Sequence, residues 1–360
     1  MQFSDNFSAN GESHFVFKQR PVPVFQNKAY KSRGDAEDAL TAEVELVQST
    51  VSGFVYNRLF QPDLMVYDIN YQNEQSNSKF FMDHLQSVLD QLISYGIKEK
   101  KVVEIGCGKG VFFEMMLKQG IDCWGFDPTY EGNSPKIIKD YFSEKYNDIN
   151  AEVVIMRHTL EHIPDPFSFI HTIAKANNYK GYLFVEVPTF DWIVNKKAYW
   201  DIFYEHCNYF TEQSLGCMFD DAVVGNFFGG QYIYLWADLA KLREKIPQQN
   251  FKPFDPLVFQ EKMKEHEDFL QSKSPIVIWG AGAKGSTFLN LVDSERRKIS
   301  YVVDINPLKQ DRYIAGTGHP IYSPGHIAEE DPGTIIIMNE NYRDEIMKMI
   351  NNPGISFITI

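Results

Sequence analysis

The sequence predicts an α/β protein: a doubly wound, mostly parallel sheet followed by a second, smaller doubly wound unit. Three observations carry this. Apolar strands alternate with helical segments from about residue 78 to 237. Two glycine turns, EIGCGKG and WGAGAKG, each follow an apolar strand and open a helix. The alternation also restarts at Pro275 after a polar stretch. At 360 residues the chain suits two or three domains rather than one core.

Residues 1–77 mix Asn, Ser, Gln and Pro with short apolar clusters such as FVYNRLF, and read as irregular. From Ser78 the pattern is helical: KFFMDHLQSVLDQLISYG places Phe81, Leu85, Val88, Leu89 and Leu92 on one face, with Gly96 to end it. KKVVEIGCGKG is a strand entering a glycine turn, VFFEMMLKQG a helix, and IDCWGFD a second strand ending at Asp127. AEVVIMRHTLEHI holds a further strand, DPFSFIHTIAKAN a helix and GYLFVEVP a strand. An aromatic-rich insertion lies between Pro188 and Gln213, and AVVGNFFGGQYIYLWADL reads as a hairpin closing the sheet near 237. Residues 238–274 form a polar, largely helical connector, and 275–360 the second unit, with strands in PIVIWGAG, ISYVVDI and GTIIIMN.

Composition excludes several classes. Hydrophobic residues are 44% and charged residues 23%, as in ordinary globular chains. A net charge of -13 argues against a nucleic-acid-binding surface, while leaving room for one local basic pocket. The polar N-terminus and the lack of any 18-residue apolar run predict neither secretion nor a membrane span. Four scattered cysteines without C-x-x-C predict reduced thiols and a cytoplasmic protein, with no zinc site or disulfide frame.

Gly106 and Gly108 permit positive φ and close approach of a ligand to the backbone. The helix behind them offers free N–H groups, and Asp127 can accept ribose hydroxyls. E-x-G-x-G followed by Asp127, together with RHTLEHIPDP, resembles the class I S-adenosylmethionine-dependent methyltransferases. The resemblance implies S-adenosyl-L-methionine as cofactor, held by Glu104, Gly106, Cys107, Gly108, Asp127, Pro128, Arg157 and His158. Asp127 would hold the ribose, and Glu104 would orient the loop or the ligand's amine. The loop KDYFSEKY would lie on the adenine side, with Asp140, Tyr141 and Phe142 as candidates.

Taken alone, G-x-G-x-x-G at Gly280, Gly282 and Gly285 with Asp304 after it reads as a dinucleotide fingerprint. The whole segment WGAGAKGSTFLN to HPIYSP instead resembles the C-terminal domain of bacterial sugar-nucleotide C-methyltransferases. Three readings stay open for this turn: a nucleotide or phosphate of the substrate at Gly282 and Lys284, structure only, or a dinucleotide cofactor. The resemblance runs from about Gly53 to the C-terminus. It departs at the start, where those enzymes carry a zinc module with paired cysteines; here none precedes Cys107. Residues 1–77 are therefore expected to be a metal-free remnant of a substrate-covering region.

Within the insertion, DIFYEHCNYFT sets Glu205 beside His206. In the resembling enzymes a Glu-His pair stands beside the substrate, with the histidine proposed as base. This implies His206, titrating near neutrality, as the group that deprotonates a carbon next to a ketone. Glu205 would orient substrate or imidazole, His162 would polarise the keto oxygen, and Tyr71, Tyr204 and Tyr209 would bind sugar hydroxyls or the oxyanion. Phe203 stands where relatives tend to have tyrosine. The simpler readings are a satisfied core histidine and packing aromatics. The expected function is C-methylation of a keto-sugar nucleotide or similar phosphorylated carbonyl compound. The alternatives are O- or N-methylation of a surface-polysaccharide or natural-product precursor, and a non-enzymatic nucleotide-binding protein. The expected partner is a small molecule, with oligomeric state left open.

Overall fold

The computed structural model describes residues 12–66, 75–272 and 275–360. Its N-terminal region is not irregular. Strands β1 (Ser13–Pro23), β2 (Ala29–Tyr30), β3 (Thr41–Ser49) and β4 (Val55–Asn57) account for much of it. β1 pairs antiparallel with β3, and the register shifts between Phe15 and Phe17 and again between Gln19 and Val22. Each shift breaks the two-residue alternation, and Pro21 and Pro23 read as breakers, so the strand has no clear sequence signature.

The helix Lys79–Ser94 follows, its first turn capped by the Ser78 hydroxyl accepting from Phe81 N–H. It buries the five predicted positions, and Gly96 leaves it at φ 82°. Then come β5 (Lys101–Ile105), β6 (Asp122–Phe126), β7 (Ile137–Ile138), β8 (Val153–Arg157) and β9 (Tyr182–Pro188), all parallel. β10 (Asn208–Tyr209), inside the aromatic insertion, pairs with β4 and so ties that insertion to the N-terminal sheet. β11 (Val223–Phe227) and β12 (Tyr232–Asp238) form the predicted antiparallel hairpin, and the sheet order is β11-β12-β9-β8-β5-β6-β7. The chain reverses direction across the sheet between β5 and β8, so the crevice at their carboxyl ends is a switch point where such sheets bind ligands.

After the helix Val258–Ser272 the second sheet is built from β13 (Ile276–Trp279), β14 (Ile299–Val303), β15 (Arg312–Ile314), β16 (Pro320–Tyr322), β17 (Thr334–Ile337) and β18 (Ser356–Thr359). Its order is β18-β17-β13-β14-β16-β15-β2, so its last strand comes from the N-terminal region. Its switch point lies beside β13, at the second glycine turn. One apolar core, including Phe17, Tyr199, Trp200, Tyr204, Phe259 and Phe288, joins the N-terminal sheet, the aromatic insertion and the second unit. That shared core sets the two glycine turns across one cleft.

Candidate active site

The cleft has a volume of about 410 Å³, and both glycine turns line it. On the first wall, Gly106 has φ 76°, and a Cβ there would stand 2.1 Å from Thr159 Oγ1, so only glycine fits. Asp127 shapes this turn: one carboxylate oxygen accepts from Gly108 N–H at 2.8 Å, the other from the Thr129 N–H and hydroxyl. Three donors leave a carboxylate with acceptor capacity for a ribose hydroxyl. Glu104 is buried, with Oε2 unpartnered among the described residues. Burial pushes its carboxyl up to about 7, with Arg157 opposing and Asp127 adding to the rise. Arg157 donates from Nε to Glu186 at 2.7 Å and lies 4.6 Å over the Phe112 ring, while its buried Nη2 has no partner among the described residues. A buried acceptor and a buried donor are thus left open on one wall. That pair is complementary to the ammonium and carboxylate of an amino-acid zwitterion.

The other predicted cofactor residues divide. Cys107 and His158 line the cleft, and burial raises the Cys107 thiol. His158 has φ 49° and its ring lies 4.5 Å from that of Tyr232. Asp127, Pro128, Tyr141 and Phe142 are outside its lining. Phe142 is core, packed edge-on to Phe126, whereas Tyr141 is 73% exposed. Asp140 accepts from the Tyr146 hydroxyl and pairs with Lys145.

On the opposite wall, Asp304 repeats the device of Asp127. Its Oδ2 accepts from Ala281 N–H at 2.7 Å and its Oδ1 from Asn306 N–H at 2.8 Å. Gly285 has no room for a side chain, since a Cβ would lie 1.9 Å from Gly280 O. The helix Ala283–Val292 starts at Gly282 without a side-chain cap, leaving its first N–H groups open to the cleft. Lys284 is less free than its sequence position suggests: Nζ stands 2.9 Å from Asp201 Oδ2 and 4.7 Å from the Trp192 ring. A second cation, Lys309, escaped the sequence reading. It is buried, donates to Ala281 O at 3.2 Å, and lines the same wall beside Gly282.

The aromatic insertion supplies the floor, and here the structure corrects several expectations. Glu205 does not pair with His206; its Oε1 accepts from Gln26 N–H at 2.8 Å and Asn27 N–H at 3.4 Å, pinning the N-terminal turn over the cleft. Adjacent side chains diverge, and the carboxylate went to the backbone. The Tyr204 hydroxyl accepts from Gln61 N–H and its ring packs on Phe60, making it a core residue. The Tyr209 hydroxyl accepts from Phe203 N–H and donates to Phe203 O, both at 2.9 Å, so it fastens its own turn instead of facing a ligand. Tyr71 lies outside the described residues. His162 and His206 both line the cleft, ring centroids 4.9 Å apart, and His162 Nδ1 stands 2.9 Å from Glu205 O. His206 does not titrate near neutrality: burial, and after it His162, lower it to about 3. Beside them lies Glu161, another residue the sequence reading passed over.

Among the described residues, two groups of side chains have the make-up of metal ligands: His84, His158 and Glu186, and Glu161, His162 and His206. In the first, Glu186 already has Arg157 at 2.7 Å and His84 at 2.9 Å, and a guanidinium beside it repels a second cation.

The family model described as a methyltransferase domain matches residues 77–222. That of the C-methyltransferase C-terminal domain matches residues 249–359. The chain is an S-adenosylmethionine-dependent methyltransferase with a methyltransferase domain followed by a C-methyltransferase C-terminal domain. This methyltransferase is 22% identical over 329 residues to C-methyltransferase NovU of Streptomyces niveus, covering 80% of this chain and 78% of that one. It is 33% identical over 107 residues to the ubiquinone biosynthesis O-methyltransferase of Histophilus somni (strain 2336), covering 25% of this chain and 45% of that enzyme. It is also similar to a solved SAM-dependent methyltransferase from Archaeoglobus fulgidus, at 17% identity over 44% of this chain and 99% of that one; a TM-score of 0.34 is too low to bear on the site. The non-enzymatic alternative is therefore set aside. S-adenosyl-L-methionine is the cofactor, and the Gly106 cradle with the open atoms of Glu104 and Arg157 fits its methionine end.

Proposed function

We propose that this methyltransferase adds a methyl group to the carbon beside the carbonyl of a keto-sugar nucleotide, through an enolate. One observation carries the reading: a single cleft has the cofactor turn on one wall, a second glycine turn with Lys284 and Lys309 on the other, and two imidazoles between. The open helix N-terminus and two cations suit a pyrophosphate, and Asp304 suits a ribose. The name of the NovU relative supports transfer to carbon. When bound, S-adenosylmethionine supplies a methyl on a sulfonium. The chain's own part is to remove a proton and stabilise the resulting oxyanion. His206, neutral at working pH, takes the proton, and His162 steadies the oxygen. The four free cysteines support a cytoplasmic setting. Incubation of candidate keto-sugar nucleotides with the enzyme in deuterium oxide tests the chemistry. The carbon next to the carbonyl is expected to take up deuterium, whereas an O-methyltransferase acting on the same compound leaves it unlabelled.

Cofactor affinity is expected to depend on pH through Glu104. Its raised pKa leaves it protonated below about 7 in the free protein, and a bound ammonium favours the ionised form. Binding at lower pH must expel that proton, so affinity falls toward a limit of about tenfold per pH unit as pH drops below about 7. Calorimetry with S-adenosylhomocysteine should show this slope in the wild type and little of it in Glu104→Gln. A flat wild-type profile removes Glu104 from the ammonium.

A further inference from the structure

The carboxylate that faces His206 is not the one next to it in sequence. Glu205 is turned to the backbone of Gln26 and Asn27. Glu161 is 2% exposed, lines the cleft, and has no hydrogen-bond partner among the described residues on either oxygen. One of its oxygens and one ring nitrogen each of His162 and His206 lie within 4.8 Å of one another. We propose that Glu161 is a positioning residue for the methyl-transfer reaction, holding the counter-charge for His206 as that ring takes the acceptor's proton. The inference rests on reading the site as one that forms an enolate.

Burial works against an ionised Glu161, but the His158 ring, with His162 and His206, outweighs it and holds the carboxyl below its usual range, so the side chain is a carboxylate facing these imidazoles. His158 Nδ1 is 3.5 Å from Glu161 Oε1, too far for a good hydrogen bond. His162 has its Nδ1 engaged with Glu205 O, which leaves only Nε2 for the cluster. His158 and Lys284 also act on His206, and both disfavour its protonation. In the reaction the acceptor's C–H bond breaks. Its electron pair passes into the new C=C bond as the carbonyl becomes an enolate, and the proton goes to His206. The enolate carbon then bonds to the methyl as the methyl–sulfur bond breaks, and the proton later leaves to solvent. An imidazolium formed there is opposed by burial, by His162, by His158 and by Lys284, and the carboxylate of Glu161 is the one acid among the causes that act on His206 in its favour. The division of labour is that of a carboxylate–histidine pair in hydrolases, where the acid orients and stabilises without taking the proton. The separation exceeds a hydrogen bond, as is common in ligand-free sites that tighten around substrate.

The test uses the full chain with Glu161→Gln and Glu161→Asp, each alone and combined with His206→Asn. Glu161→Gln is expected to leave the Tm of the ligand-free protein at pH 7 close to that of the wild type, and not above it, because the lowered carboxyl contributes a little stability there; a fall of several degrees would make Glu161 a structural partner of His158 and overturn the proposal. With labelled S-adenosylmethionine and a nucleoside-diphosphate-linked 4-keto sugar, Glu161→Gln is expected to lower kcat on the order of 10²-fold with KM little changed. Glu161→Asp should recover part of that, and adding Glu161→Gln to His206→Asn should cost nothing more. Independent, additive losses overturn the pairing. Stoichiometric binding of Mn²⁺ or Zn²⁺ that disappears in Glu161→Gln also overturns it, in favour of a cation site. Failure of every keto-sugar nucleotide as acceptor retires the acceptor reading alone, because the melting and metal measurements decide Glu161 without a substrate.

Discussion

Replacing His206 with Asn is expected to lower methyl transfer by about 10²–10⁴-fold, the usual contribution of a positioned base, while S-adenosylhomocysteine still binds. The ring stands on the cleft floor between Phe203 and His162, each centroid 4.9 Å away, and apart from the glycine turn that takes the cofactor. Its lowered pKa changes the expected pH profile. A histidine at about 3 is neutral throughout the working range, so kcat at saturating cofactor should show no His206 ionisation near neutrality. Any loss below about pH 7 should appear in cofactor affinity, where Glu104 titrates. The two groups are thus separable by kinetics. Such a histidine is also a weak base in isolation, so the counter-charge from Glu161 matters most at the moment of proton transfer. Near-normal turnover in His206→Asn would leave the imidazole a bystander in aromatic packing. A kcat titration near pH 7 that vanishes in the mutant would show that His206 keeps an ordinary pKa.

The elements legible in the sequence are those whose signal is local. The helix Lys79–Ser94 repeats its apolar face every three to four residues, and both glycine turns sit where strand meets helix. The hairpin β11–β12 is likewise local. What escaped depends on distant pairing. β1 and β3 are separated by β2 and a short helix and pair with two register shifts, β2 crosses to the second sheet, and β10 joins β4 from some 150 residues away. The site divides the same way. Glu104, Gly106, Arg157, His162 and His206 were placed at the cleft by turn and motif position. Whether a polar side chain is open or spent is decided by partners the sequence does not reveal. Gln61 occupies Tyr204, the Phe203 backbone occupies Tyr209, and Gln26 occupies Glu205. Lys309 had a faint signal, a lysine shortly after the acid that closes the second turn; Glu161 stood within RHTLEHIPDP without an assigned role.

Arg157→Met is expected to destabilise the protein by about 3–5 kcal/mol, the cost of leaving a buried charge without its partner. Glu186 is fully buried, with Arg157 Nε at 2.7 Å on one oxygen and His84 Nε2 at 2.9 Å from the other. Burial raises the Glu186 carboxyl, but Arg157, with help from His84 and His158, outweighs it and holds the group down at about 2. In the wild type the folded pKa is below the ordinary value, so this stabilisation is present above about 4.5 and is lost as pH falls toward 2. Without the guanidinium, burial has far less opposition and the folded pKa rises. The sign of the linkage then reverses, and the mutant should lose stability as pH climbs through the carboxylate range. The gap between wild type and mutant should therefore be widest near neutral pH and should narrow in acid, as read from urea midpoints at several pH values. Adding Glu186→Gln to Arg157→Met removes the stranded charge and should recover most of the loss. Cofactor affinity should stay low in that double mutant, because Nη2, the open donor on the cleft wall, is still missing. Recovery of binding along with stability would mean that Arg157 serves the fold alone.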